Sequence, residues 1–118
     1  MNDIDHAAFA LAAAACTLPT TDRPLRLAEW DGLFTDAATR VRRTERLRAT
    51  IELRPDARLA ARAADLSVRE TQCCSFFTFA VTASGGTVGL DIAVPAQHAQ
   101  VLDALARHAE SAAEGEPS

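Results

Sequence analysis

Apolar positions recur along the chain at two spacings, one typical of helices and one typical of strands. Residues 25–41 place apolar side chains at helical intervals, with the only tryptophan, Trp30, on the apolar face. Residues 47–54 alternate apolar and polar positions, as a half-buried strand does. Residues 57–72 return to helical spacing directly after Asp56, a residue type that caps helix N-termini. The pattern therefore predicts a helix, a strand and a second helix across the middle of the chain.

The following residues predict a hairpin and a last helix. Residues 76–82 and 87–94 are rich in apolar and β-branched types and flank a Ser-Gly-Gly turn at residues 84–86. Pro95 then opens a helix, because proline fits the first helical turn. We expect its inward side chains to be Val101, Leu102, Leu105 and Ala109.

The two ends of the chain complete the expected architecture. An alanine-rich helix is expected within residues 1–15, and the tail at residues 114–118 is expected to be disordered. No linker or repeat divides the sequence, so we expect residues 1–118 to form a single domain. We predict an α+β fold in the order α-α-β-α-β-β-α, with helices packed on a small, largely antiparallel sheet of about three strands.

Charge and composition narrow the classes of partner and compartment. The formal net charge is −4, which does not favour a nucleic-acid partner or an acidic lipid. No apolar run is long enough to span a membrane, and Asp3 and Asp5 are the wrong charge for an export signal. We therefore expect a cytoplasmic protein whose three cysteines form no stable disulfide. Five arginines cluster where a solvated surface is the simplest interpretation: Arg40, Arg42, Arg43, Arg46 and Arg48.

The cysteines carry the distinctive chemistry of the sequence. Cys73 and Cys74 are vicinal, between a predicted helix and an aromatic strand. Consecutive helical residues lie about 100° apart, so both sulfurs approach one point only if the helix ends near Gln72. Cys16 lies in a proline-bounded loop, and a fold that brought it to the pair would form a three-thiol cluster. Such a cluster suits zinc, copper(I), mercury(II) or arsenic(III), although the spacing is not the C-x-x-C knuckle of zinc sites.

Glu70 strengthens the prediction of a site. It falls on the apolar stripe of its helix, one turn before Cys73, where a carboxylate must be hydrogen-bonded, paired or a ligand. Arg69 is a candidate for lowering the pKa of a nearby thiol. The helix C-terminus has the opposite effect, because its dipole disfavours a thiolate and favours a cation. This balance favours metal binding over thiol catalysis.

Other candidates have simpler interpretations. Phe77 and Phe79 share a strand face and are expected in the core, whereas Phe76 points the other way and is placed to shield the thiols. His98 lies near the start of the last helix and is a candidate fourth ligand. A satisfied surface or helix-end histidine is the simpler interpretation of that position.

The motifs resemble those of a group of small actinobacterial proteins. The resemblance covers most of the chain, from Cys16 to about Leu105, and rests on CTLPT at residues 16–20, RPLRLAEWDGLF at 23–34 and ExxCCxFFxF at 70–79. It implies a shared fold and a shared cysteine site, and it supplies no mechanism.

The leading hypothesis is a cytoplasmic protein that binds a soft metal or metalloid ion through Cys16, Cys73 and Cys74. Glu70 is then a fourth ligand or a support. One alternative is a thiol-dependent enzyme in which Glu70 delivers a proton to the carbon of a cleaved carbon–metal bond. The other is a structural or partner-binding domain whose cysteines pack as three dispersed sulfurs. Binding requires Cys16 close to the pair, and the enzyme requires an open cleft as well.

Overall fold

The computed structural model describes residues 22–114, apart from the side chains of residues 22–27 and of Cys73. The helix expected within residues 1–15, the position of Cys16 and the end of the tail lie outside the described residues. The described elements follow the order α1 (Asp22–Ala37), β1 (Ala38–Glu45), β2 (Arg48–Leu53), α2 (Ala57–Cys73), β3 (Thr78–Ser84), β4 (Thr87–Ala93), a 3-10 turn (Ala96–His98) and α3 (Ala99–Ala113).

The four described strands form one antiparallel sheet in the order β1-β2-β4-β3. Each hairpin supplies one central strand and one edge strand, and the two central strands, β2 and β4, join the hairpins. The α+β class and the antiparallel sheet are confirmed. The expected number of about three strands falls one short of the four observed, and the element order differs by the insertion of β1.

Strand β1 was not predicted from the sequence, because the helical spacing of apolar residues extends into it. The apolar spacing predicted a helix to about Val41, whereas α1 ends at Ala37 and the backbone turns directly into a strand. Val41 pairs with Ile51 of β2, and the amide of Arg54 donates to the carbonyl of Ala37 at 2.8 Å. Pairing with the adjacent strand β2 in a hairpin thus overrides a local helical spacing, as structural context often overrides intrinsic propensity.

The buried face of the sheet follows the alternation seen in the sequence. Ile51 of β2 lies opposite Leu90 of β4, and both side chains are fully buried. Their neighbours on this face are also buried, namely Ala49, Leu53, Val88, Ile92 and Val94. On the opposite face the hydroxyl of Thr50 donates to the carboxylate of Asp91. The predicted strand patterns of residues 47–54 and 87–94 are therefore confirmed.

All three helices within residues 22–114 pack on the apolar face of the sheet. Helix α3 lies on β1 and β2, α2 contacts β3, and α1 contacts both of these helices. The expected inward residues of α3 are buried: Val101, Leu102, Leu105 and Ala109. Polar side-chain contacts tie α1 to its neighbours: Asp36 forms an ion pair with Arg62 of α2 at 2.8 Å, and the carboxylate of Asp31 lies 3.1 Å from Nδ1 of His108 of α3. Helix α1 therefore lies between the other two helices.

Local sequence signals set the ends of the elements. The carboxylate of Asp56 accepts the amides of Arg58 at 2.8 Å and Leu59 at 3.4 Å, which confirms the expected N-cap of α2. Gly85 and Gly86 have φ angles of 58° and 83°, so the β3–β4 hairpin closes through two residues in the left-handed region.

The clustered arginines lie on or beside the β1–β2 hairpin, and their side chains are exposed. Arg42 pairs with Glu52 of β2 at 3.1 Å, and Arg43 pairs with Asp103 of α3 at 2.6 Å. Within residues 22–114, no helix is both long enough and apolar enough to cross a bilayer.

Replacement of Gly86 by alanine should destabilise the protein. The φ angle of 83° is unfavourable for a residue with a Cβ atom, at a cost of about 1–2 kcal/mol in the free energy of unfolding. Gly89→Ala is the matched control. Its added Cβ meets the Thr50 methyl at 3.4 Å, an ordinary contact, and no positive φ is imposed there. Urea denaturation should therefore show a loss for Gly86→Ala and none for Gly89→Ala; equal losses would contradict the turn conformation.

Candidate functional site

The candidate site lies at the C-terminal end of α2, on the side of the helix that faces the core. The inward stripe of this helix contains Ala63, Leu66 and Glu70, all buried. The helix ends at Cys73, and Cys74 is its C-cap, with its amide donating to the carbonyl of Glu70 at 2.7 Å. The backbone therefore leaves the helix at the vicinal pair, as the sequence predicted.

Glu70 is a buried carboxylate held by a donor from another helix. Its side chain is only 7% exposed, and its Oε1 accepts a hydrogen bond from the indole Nε1 of Trp30 at 2.9 Å. Trp30, on α1, is itself 4% exposed. The expectation that a carboxylate on this stripe needs a partner is therefore confirmed. The donor was not identified from the sequence, because the two residues lie 40 positions apart.

Cys74 is buried and oxidised. Its side chain is 1% exposed, and its sulfur belongs to a disulfide. The partner is Cys16 or Cys73, because the chain contains three cysteines, and neither of those side chains is among the described ones. The expectation that the cysteines form no disulfide is wrong. A disulfide carries no charge, so it avoids the conflict between a thiolate and the negative end of the helix dipole.

The disulfide also bears on the interpretation in which the cysteines merely pack. That interpretation predicted three dispersed sulfurs, whereas Cys74 is covalently joined to one of the other two. The three-thiol prediction depends on Cys16 and Cys73, whose side chains lie outside the described part of the structure. Among the side chains that are described, no group of three or more histidine, cysteine or carboxylate residues is placed to hold a metal ion.

A row of aromatic rings runs beside this helix end. Trp30 stacks on Phe79 with ring centroids 5.4 Å apart, and Phe79 stacks on Phe77 at 5.0 Å. The row continues through Phe76, 4.6 Å from Phe77, to His98, 3.9 Å from Phe76. Phe77 is buried and its amide donates to the carbonyl of Cys74 at 3.3 Å. The aromatic row thus joins the donor of the Glu70 hydrogen bond to the segment that follows Cys74.

The structure tests three expectations about the residues that follow Cys74. Phe77 belongs to the core, as predicted, and Phe79 is half-buried and packs against it. Strand β3 begins at Thr78 rather than at Phe76, because residues 74–77 form a turn. His98, the candidate fourth ligand, is half-buried with its ring against Phe76.

Arg69 faces carboxylates on the outer side of α2. It pairs with Glu29 of α1 at 3.0 Å and with Asp65 at 2.9 Å. Desolvation by burial lowers the pKa of Arg69, but the hydrogen bonds and charges of Asp65 and Glu29 outweigh that effect and raise the pKa above its ordinary value. Arg69 therefore remains a cation that ties α2 to α1, and its described contacts give no support to a role in activating a thiol.

Comparison with known proteins gives no family. No family model, no curated protein and no solved structure matches the chain.

The hydrogen bond between Trp30 and Glu70 should be measurable as a coupling energy. A double-mutant cycle of Trp30→Phe and Glu70→Ala should give a coupling of about 1.5–3 kcal/mol, the range for a hydrogen bond to a charged group. The matched control pairs Trp30→Phe with Asp56→Ala. Asp56 caps the other end of α2, about 21 Å from Glu70 along the helix axis. The control pair should be additive within about 0.5 kcal/mol in urea denaturation; similar coupling in both cycles would contradict a direct bond.

Proposed function

We propose that the protein binds a soft metal or metalloid ion in the reduced state, at the C-terminal end of α2. Cys74, Cys73 and Cys16 supply the sulfur ligands, and Glu70 supplies a carboxylate as a fourth ligand or as a support beside them. The observation that carries the proposal is the buried carboxylate of Glu70, fixed by the indole of Trp30 one helical turn before the buried Cys74.

The position of the cysteines at a helix end supports a cation. Helix α2 ends at Cys73, and its C-terminal carbonyls give that end a partial negative charge. A bare thiolate placed there is disfavoured, whereas a cation that offsets the charge of the thiolates reduces the repulsion. Burial of Cys74 acts in the same direction, because an unpaired thiolate is costly in an apolar environment.

The disulfide at Cys74 is, in this proposal, the oxidised and closed form of the site. Two electrons and two protons from an external dithiol break the sulfur–sulfur bond and give two thiols, and the dithiol becomes a disulfide. The ion then displaces the thiol protons, which leave to solvent. A reducing compartment such as the cytoplasm would keep the site open for binding.

Metal titration under native mass spectrometry tests the proposal. The chain is reduced with an excess of dithiol, which is removed under anaerobic conditions, and zinc, copper(I), mercury(II) and arsenite are added separately. We expect one ion per reduced chain for at least one of these probes and none for the oxidised chain. Alkylation of the unreduced protein checks the starting state: one disulfide among three cysteines leaves one thiol to label.

Variants identify the ligands. Cys74→Ser and Cys73→Ser should each abolish retention of the ion. Glu70→Gln should weaken affinity by about 10–100-fold, the usual effect of losing a supporting group. Glu52→Gln is the matched control, because Glu52 lies on β2, away from this helix end. Equal retention by the wild type and by the Cys73→Ser/Cys74→Ser double variant would exclude the proposed site.

A further inference from the structure

Residues 71–90 contain no charged side chain, in a chain of which 24% of residues are charged. This stretch includes all of β3, an edge strand that pairs only with β4 in the described sheet. The pairing runs from Thr78 to Ser84 without a register shift, so the strand is regular. The side chains of β3 that point away from the helices are small and exposed: Thr78, Ala80, Thr82 and Ser84.

The opposite edge of the sheet is built differently. Strand β1 has register shifts between Ala38 and Arg40 and between Arg43 and Glu45, and it carries three exposed arginines. Charges and irregularities of this kind prevent an edge from pairing with another chain. Strand β3 has neither a charged side chain nor a register shift, so the two edges of the sheet differ in their capacity to pair with a further strand.

Helix α2 extends the uncharged surface above β3. Its flank toward α1 carries the charged residues Arg62, Asp65 and Arg69. Helical geometry places an uncharged set on the other flank: Ala60, Ala64, Ser67 and Thr71, with Val68 beside them. Because α3 covers β1 and β2, α1 lies between the other helices and α2 contacts β3, this uncharged flank lies on the β3 side. Val68 is a large apolar residue with 56% of its surface exposed.

We propose that β3 and the uncharged flank of α2 form the interface between two copies of this chain. The β3 strands pair antiparallel across a two-fold axis and join two four-stranded sheets into one. The interface is defined by β3 (Thr78–Ser84) together with Ala64, Val68 and Thr71 of α2.

A second copy is the occupant that fits this surface. In a dimer with a two-fold axis, the same surface of each copy faces its counterpart. A charged edge would then bring like charges together, whereas β3 carries no charged side chain. The same pairing extends the apolar face of the sheet beyond Phe79 and Val81, which are half-buried at its margin. Self-pairing of β1 would instead set Arg40 and Arg42 near their own copies.

Sedimentation equilibrium of the full chain, with and without reductant, tests the interface. We expect a monomer–dimer equilibrium with dimer dominant at concentrations on the order of 100 µM, with or without reductant. Thr82→Lys places two lysines in the interface and should weaken the dimer at least tenfold, roughly the effect of a like-charge pair counted with its desolvation. Thr39→Lys makes the same change at an exposed position on the β1 edge and should leave the dimer unchanged.

A third variant keeps the test decisive. Val68→Asp alters the exposed flank of α2 and should also weaken the dimer; it decides the matter if circular dichroism shows that Thr82→Lys fails to fold. A chain that remains monomeric up to about 1 mM overturns the proposal, because even weak specific pairing is visible there. A dimer that disappears on reduction, that survives both Thr82→Lys and Val68→Asp, or that responds equally to Thr39→Lys overturns it as well.

Discussion

The hydrogen bond from the indole of Trp30 to Glu70 is the interaction on which the arrangement of α2 depends. An isolated carboxylate in an apolar core is costly, so Glu70 can remain buried only if a donor meets it there. The donor comes from α1, so a movement of α1 relative to α2 would break this buried hydrogen bond. The surface ion pairs of Arg69 and Arg62 follow the same helix–helix boundary, but exposed pairs contribute little energy each. The buried hydrogen bond therefore contributes more to the relative position of α1 and α2 than the surface ion pairs do.

The same bond brings several features of the helix end together. Trp30 contacts Glu70 on one side and the aromatic row on the other, and that row leads to the turn after Cys74. Cys74 therefore lies in the chain between the helical turn that carries Glu70 and the segment that carries the stacked rings. A neutral disulfide suits the negative end of α2, and thiolates that bind a cation suit it better than bare thiolates do, because each state removes or offsets negative charge that the dipole opposes. The proposed function uses these two states.

The sequence was most informative where the causes are local. The alternation around Ile51 and Leu90, the Asp56 cap and the glycine turn each depend on neighbouring residues, and each was predicted. Strand β1 was missed because the apolar spacing that ends at Val41 satisfies a helix equally well, although its partner strand β2 follows directly along the chain. Glu70 was recognisable as a buried carboxylate, but its donor 40 residues away was not. The disulfide at Cys74 was contrary to expectation, because that expectation rested on a reducing compartment and on the odd number of cysteines.

Trp30 offers the most direct test of the account, because it is the only tryptophan and its indole touches the proposed site. Its fluorescence should be followed while the reduced chain is titrated with zinc or arsenite, ions that do not quench as heavy atoms do. The account predicts a saturable change in the emission of Trp30 with one equivalent of ion, reduced in the Glu70→Gln variant and absent from Cys74→Ser. A spectrum that stays constant through the titration, while mass spectrometry reports a bound ion, would place that ion elsewhere and contradict the account.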